Sequence, residues 1–185
     1  MYRDNSLIPI EAVRLCALGR LMLGERRYAE LAGEVRHFTS RMVGPSLELL
    51  GTSIELLRLE GLVEAVDGKS MEDNPQLCIT DAGRMAFREL MRAHVRSPGS
   101  DVGKLSLALK MRFLDLLSPE DRRDQIDLMS DIFRQERARL LDLRQHVAGQ
   151  ADGHLPDGHL AEWLDLDIEQ IDRRVAWLEA FQAKA

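Results

Sequence analysis

Cysteine, aromatic residues and long apolar runs are all scarce in this chain of 185 residues. Cys16 and Cys78 stand 62 positions apart, which excludes a disulfide scaffold. Both read as reduced thiols packed as small hydrophobes rather than redox sensors. No apolar run approaches the ~20 residues of a helical membrane span. The opening MYRDNSLIPI has neither the basic n-region nor the apolar core of a secretory leader, so a cytoplasmic protein with no membrane partner is expected. No G-x-S-x-G, H-E-x-x-H, P-loop or Rossmann glycine fingerprint occurs, so neither catalytic residues nor a cofactor are expected.

What is present is an ordinary globular composition, 45% hydrophobic and 30% charged, which excludes a disordered chain. The net charge of -6 speaks at first against nucleic acid as a partner. Divided at Arg96 it reads differently. Residues 1–96 carry 13 Lys and Arg against 14 Asp and Glu, a net of -1; the remainder carry 12 against 17, a net of -5. The basic residues of the first part are twelve Arg and the single Lys69. Arg suits bidentate phosphate contacts, although it serves surface ion pairs equally.

Apolar spacing predicts a helix from Ile8 to Leu23, with Pro9 in its first turn and Gly24 at its end. A second fits Tyr28 to Arg41, with Tyr28, Leu31, Val35 and Phe38 on one stripe, before a break at Gly44-Pro45. A third lies within Ser46 to Glu60. Ser46 and the Thr52-Ser53-Ile54-Glu55 box compete as its cap, and a start near Leu47 is preferred. Its two apolar faces (Leu47, Leu50, Ile54, Leu57 and Leu49, Leu56, Leu59) predict burial on both sides. Leu62–Val66 and Gln76–Thr80 read as a two-stranded hairpin around a polar tip, and Thr80 caps a helix running to about Val95.

Ser97-Pro98-Gly99-Ser100 is the best linker in the chain. Beyond it a helix fits Val102 to Leu117, and Ser118-Pro119-Glu120-Asp121 starts a long one carrying Ile126, Met129, Phe133, Leu140 and Val147. A last helix follows a duplicated Asp-Gly-His-Leu turn. The fold class is therefore mainly α: an N-terminal winged helix-turn-helix of three helices plus a two-stranded β wing over 1–96, then a C-terminal helical domain over 101–185.

Ser6-Leu7-Ile8-Pro9-Ile10-Glu11, Arg58-Leu59-Glu60-Gly61-Leu62-Val63 and Leu77-Cys78-Ile79-Thr80-Asp81-Ala82-Gly83-Arg84 resemble three blocks of the PadR-type transcriptional regulators. The last two blocks are shared with MarR-like and other winged-helix regulators. The resemblance implies a homodimer binding operator DNA, usually as a repressor, with the tail as dimerisation domain and a small apolar or aromatic effector between domains or subunits. Two stretches depart from the family pattern. The third helix has Glu48-Leu49-Leu50-Gly51-Thr52-Ser53 where the family favours Tyr and basic or small polar residues, and the wing tip sets Lys69 alone against Asp67, Glu72 and Asp73. Carboxylates there oppose the counterion release that drives DNA affinity.

Candidate DNA contacts are Arg36, His37, Thr39, Ser40 and Arg41 for the backbone, with Thr52, Ser53, Arg58 and Lys69 on the third helix and wing. Arg26 and Arg27 precede the second helix, and a solvated surface pairing with Glu30 and Glu34 is the alternative reading of this cluster. Candidate dimerisation residues are Trp163, Leu164, Ile168, Ile171, Val175, Leu178 and Phe181, with Trp177 on the flank. His154 and His159 with Asp152 and Asp157 match no strong metal spacing and read as a polar loop, so no metal is expected. Beside the regulator stands a second expectation, a winged-helix module that binds protein instead of DNA.

Overall fold

The structure, a computed structural model, describes residues 7–43, 50–149 and 158–184, with the side chains of 50–53 and 149 outside the description. The expected break at Gly44-Pro45, the start of the third helix at Ser46 or Leu47, and the Asp152, His154 and Asp157 loop lie outside the described residues. Two compact units result, Met1–Ser118 and Pro119–Ala185.

In the first unit the order is α1 (Pro9–Met22), β1 (Arg26–Arg27), α2 (Tyr28–Val43), α3 (Leu50–Leu59), β2 (Val63–Ala65), β3 (Gln76–Ile79), α4 (Asp81–Arg92) and α5 (Asp101–Arg112). Helix α1 is the centre of this unit and touches α2, α3, α4, α5 and β3. It is apolar on nearly every side, as a helix packed all round must be: Ala12, Val13, Leu15, Cys16, Ala17, Leu18 and Leu21 are all buried. Its small residues let neighbours approach closely. A methyl group added at Gly19 would overlap the Phe113 ring, which itself meets Phe87 edge-on at 6.0 Å between centroids.

The wing has three antiparallel strands in the order β1-β3-β2, not two. Val63 faces Ile79 and Ala65 faces Leu77 across one side of β3, while Arg26 pairs with Leu77 and Arg27 with Gln76 on the other. A two-residue strand is too short to show any period, so only its partner could reveal it.

The Ser97–Ser100 turn joins helices of one unit, and the two units meet at Ser118-Pro119 instead. Ser100 caps α5, its hydroxyl accepting from the Gly103 amide at 3.0 Å, and α5 packs on α1 and α2. Ser, Pro and Gly mark a tight helix connection as readily as a domain linker, so their chemistry alone does not distinguish the two. Divided at Ser118, the first unit carries 16 Lys and Arg against 16 Asp and Glu, a net of zero; the second carries 9 against 15, a net of -6.

The second unit is a helical hairpin of α6 (Pro119–Gly149) and α7 (Gly158–Gln182). Leu164, Ile168, Ile171 and Leu178 form the buried seam of α7 along α6. Beside the seam runs a ladder of polar pairs: Gln182 with Asp127 at 2.8 Å, Arg134 with Glu179 at 2.8 Å, Arg137 with Asp172, and Arg144 on both oxygens of Asp165 at 2.9 and 3.1 Å. These pairs descend one helix as they climb the other, which fixes the antiparallel register. The planar guanidinium supplies two parallel donors to Asp165, a geometry Lys lacks.

Among the described residues of the first unit, one charged side chain is fully inside. Lys110 of α5 donates from its ammonium to the Met91 carbonyl in the last turn of α4, and burial draws its pKa down from 10.5 to about 7. Between those two values the unfolded chain binds more protons than the folded one, so stability rises with pH across that window and its gain is lost as pH falls toward 7. Lys110→Met should flatten this slope in denaturant titrations made from pH 7 to 10. A slope unchanged by the substitution would overturn the assignment.

Candidate nucleic-acid interface

The junction of α3, wing and α4 is built from a few polar groups. Helix α3 ends on Gly61 at φ 71°, the left-handed conformation that glycine adopts without strain. The Leu62 amide then reaches back to the Leu57 carbonyl at 2.8 Å and the Gly61 amide to Arg58 at 3.0 Å, closing the last turn. Thr80, at the far end of the wing, donates its hydroxyl to the Gly61 carbonyl at 2.7 Å and accepts from the Gly83 amide at 3.0 Å. Its own amide donates to Leu62 at 3.1 Å. A methyl group at Gly83 would strike the Leu62 carbonyl, so glycine is required there.

The wing is also pinned to α2. Asn74, at φ 51°, accepts from the Ala29 amide at 2.8 Å through its side chain, and the Pro75 carbonyl accepts from the Tyr28 amide at 3.0 Å. Two first-turn donors of α2 that have no partner within the helix are thus satisfied by the wing. Arg27 donates to the Asn74 carbonyl at 3.3 Å, and Arg58 donates from α3 to the Lys69 carbonyl in the wing tip at 3.2 Å.

Several carboxylates near this surface are engaged inside the protein. Asp67 accepts from the Lys69 and Gln76 amides at 3.4 and 3.3 Å. Desolvation opposes its charge, yet those amides and the Lys69 ammonium together hold its pKa below the ordinary value. Asp73 accepts from the Ser70 hydroxyl at 2.8 Å, and Glu55 of α3 accepts from the Tyr28 phenol at 3.3 Å. Burial first, then Glu55, raises the Tyr28 pKa, with Arg36 near enough to oppose them.

The expected contact residues divide accordingly. Arg36, His37 and Arg41 lie exposed on α2, and Arg36 and Arg41 have no ion-pair partner among the described residues. Ser40 is half-buried, its hydroxyl turned back on the His37 carbonyl at 3.3 Å. Thr39 is a correction: it is fully buried, with its hydroxyl on the Val35 carbonyl at 2.9 Å, so it faces the core. Thr52 and Ser53 lie on the α3 backbone, but their side chains are outside the described residues. Arg58 and Lys69 meet each other across the α3–wing contact. Arg26 reaches toward Glu34 at 3.8 Å, and Glu34 also pairs with Arg20, so this part of the cluster is an internal ion-pair group. Sequence reasoning missed Tyr28 as a polar group and Asn74 as a cap; Asn before Pro in a glycine-poor loop was the available signal for the second.

Helix α3 is also less enclosed than expected. Ile54 and Leu57 are buried, but Leu59 is 82% exposed. On α7, Leu164, Ile168, Ile171 and Leu178 of the expected dimer face are buried in the hairpin, and Val175 and Phe181 are half-buried. The open face of that helix instead carries Trp163, Leu166 and Trp177, with Trp177 stacked on Phe181 at 5.3 Å. Burial pushes the Cys16 thiol up to about 12, and burial followed by Glu64 raises Cys78, so neither is a ready thiolate. Among the described residues no cluster of three or more His, Cys, Asp or Glu could hold a metal, and no helix is long and apolar enough to cross a membrane.

A family model described as "Putative AphA-like transcriptional regulator" matches residues 2–182. Among solved structures, the chain is similar to Bacillus subtilis PadR at 18% identity and a TM-score of 0.40, covering 97% of each chain. The same protein in complex with operator DNA aligns at 17% identity and 0.39, over 96% of this chain and 100% of that one. In complex with p-coumaric acid it aligns at 17% and 0.39, over 97% and 98%. No curated protein matches significantly.

The α2–wing cap is open to a direct test. Asn74→Ala removes the acceptor for Ala29 and places alanine in a left-handed conformation, at a cost of about 1–2 kcal/mol. Asn74→Gly loses only the side-chain acceptor and should destabilise less. Equal denaturation midpoints for Asn74→Ala and the parent chain would refute the cap.

Proposed function

The chain belongs to the AphA-like transcriptional regulators, a family of regulators and not of enzymes, and on that premise we propose that it is a sequence-specific DNA-binding homodimer. The reading has it act in the cytoplasm as a repressor by occupying a two-fold operator. The observation that carries it is the pair Arg36 and Arg41, exposed on the helix that precedes α3 and lacking any ion-pair partner among the described residues. Of the acids near this surface, Asp67, Asp73 and Glu55 are each held by donors of the protein itself, and Glu72 stays exposed at the wing tip. Backbone contacts of this kind set orientation and supply the salt-dependent part of affinity. The dimer rests on the open face of α7, where Trp163 and Trp177 are 57% and 54% exposed two heptads apart. A small-molecule effector belongs to the same reading.

Leu59, exposed at the end of α3, favours a second reading in which the helix docks protein. An electrophoretic shift with the chain's own upstream DNA at several salt concentrations separates the two, since absence of a discrete complex at every concentration leaves only the second. Arg36→Ala with Arg41→Ala should weaken the DNA complex and lower the steepness of its salt dependence by about one for each phosphate contact removed. An unchanged slope would remove both residues from the interface. Trp163→Ala with Trp177→Ala should convert the dimer to monomer in light scattering, with helicity retained; a dimer of unchanged strength would exclude this face.

A further inference from the structure

A half-open pocket of about 630 Å³ lies in the first unit, between α1, α4 and the turn from α3 into β2. That volume falls in the range of small-molecule sites, ~300–1,000 Å³. Its apolar lining comes from Leu18, Leu62, Ala86 and Leu90. The charged lining is Glu11, Glu60 and Glu89 against Arg14 and Arg92. Arg14 and Glu60 answer each other in an ion pair, Arg92 is engaged in a contact of its own, and Glu11 accepts from the Ile8 amide at 3.0 Å. Glu89, exposed on α4, has no ion-pair partner among the described residues. An apolar lining beneath a net-acidic set of charges suits one class of occupant.

We propose that this cavity is an effector site for a small organic cation with an apolar body, the body lying on Leu18, Leu62 and Leu90 and the cation beside Glu89. The position gives such a ligand a lever on α3. Glu60 follows directly on the end of that helix, and its ion pair with Arg14 ties α3 to α1. Leu62, whose carbonyl receives the Thr80 amide, is the last residue of the turn before β2. A cation competing for Glu60 loosens the first tie, and an apolar body against Leu62 bears on the second. Occupancy thereby changes how α3 and the wing are held relative to α1. Only the role of this site as an effector site rests on the DNA-binding reading; ligand binding itself does not.

Tryptamine is a suitable probe and indole-3-propionate its anionic counterpart of similar shape. Calorimetric titration of the full chain should show saturable binding of tryptamine and much weaker binding of the anion. Glu89→Gln, a change on the exposed face of α4, should weaken tryptamine about fivefold, the loss of one partly solvated charge contact. Ala86→Phe, which takes up part of the apolar floor, should weaken binding. The proposal is overturned if tryptamine does not bind, if the anion binds as well, or if Glu89→Gln binds with unchanged affinity. Because titration is made without DNA, failure of the operator-binding assay leaves this result intact, and failure of the titration leaves that assay intact.

Discussion

Thr80 is the residue on which the geometry of the N-terminal unit depends. Its hydroxyl both donates to the Gly61 carbonyl and accepts from the Gly83 amide, while its backbone amide holds the Leu62 carbonyl. The turn that ends α3, the residue that leads into β2 and the first turn of α4 are therefore joined at one point. The Gly83 amide is a first-turn donor of α4 with no partner in its own helix, and the Gly61 and Leu62 carbonyls lie in the turn between α3 and β2. The junction satisfies them mutually, and the two glycines permit it, Gly61 by conformation and Gly83 by the absence of a side chain.

A surface that reads DNA must hold its helix and its wing at fixed separation, and burial alone does not supply that in a unit this small. The three wing strands bury only a few side chains, among them Val63, Leu77 and Ile79. Directional contacts do the rest. Asn74 and Pro75 close the start of α2, Arg58 spans from α3 to the wing tip, and β1 adds a third strand beside β3. The hydrophobic core around α1 sets which faces turn inward; the polar contacts set where the outward-facing elements stand.

The helices and the winged order were legible because their signals are local and periodic: the apolar spacing of α1 and α2, the capping Thr80, and the Ser-Pro start of α6. The short β1 was not, because two residues have no period and the strand exists only through its pairing with Leu77 and Gln76. The composition of the Ser97–Ser100 turn describes a bend and not the packing on either side of it. The apolar face of α7 was legible as a face but not as to its partner. Leu164, Ile168, Ile171 and Leu178 cover α6 of the same chain, and the exposed Trp163 and Trp177 fall on the neighbouring stripe. Thr39 shows the same limit at a single position, since a hydroxyl among Arg and His reads as surface until the turn of the helix places it inward.

Net charge proved a poor guide for a related reason. The deficit of -6 belongs wholly to the α6–α7 unit, where Asp127, Asp165, Asp172 and Glu179 form the ladder that registers the two helices. The unit bearing the wing is neutral, and counting its charges still understates the asymmetry. A carboxylate that accepts hydrogen bonds from its own protein, as Asp67 does from two amides, has part of its field answered locally, whereas the guanidinium groups of Arg36 and Arg41 have none of theirs answered by an ion pair among the described residues. The field that an approaching phosphate meets is therefore set by which charges lack internal partners rather than by their sum. On that measure the outward face of α2 is cationic although the unit as a whole is not.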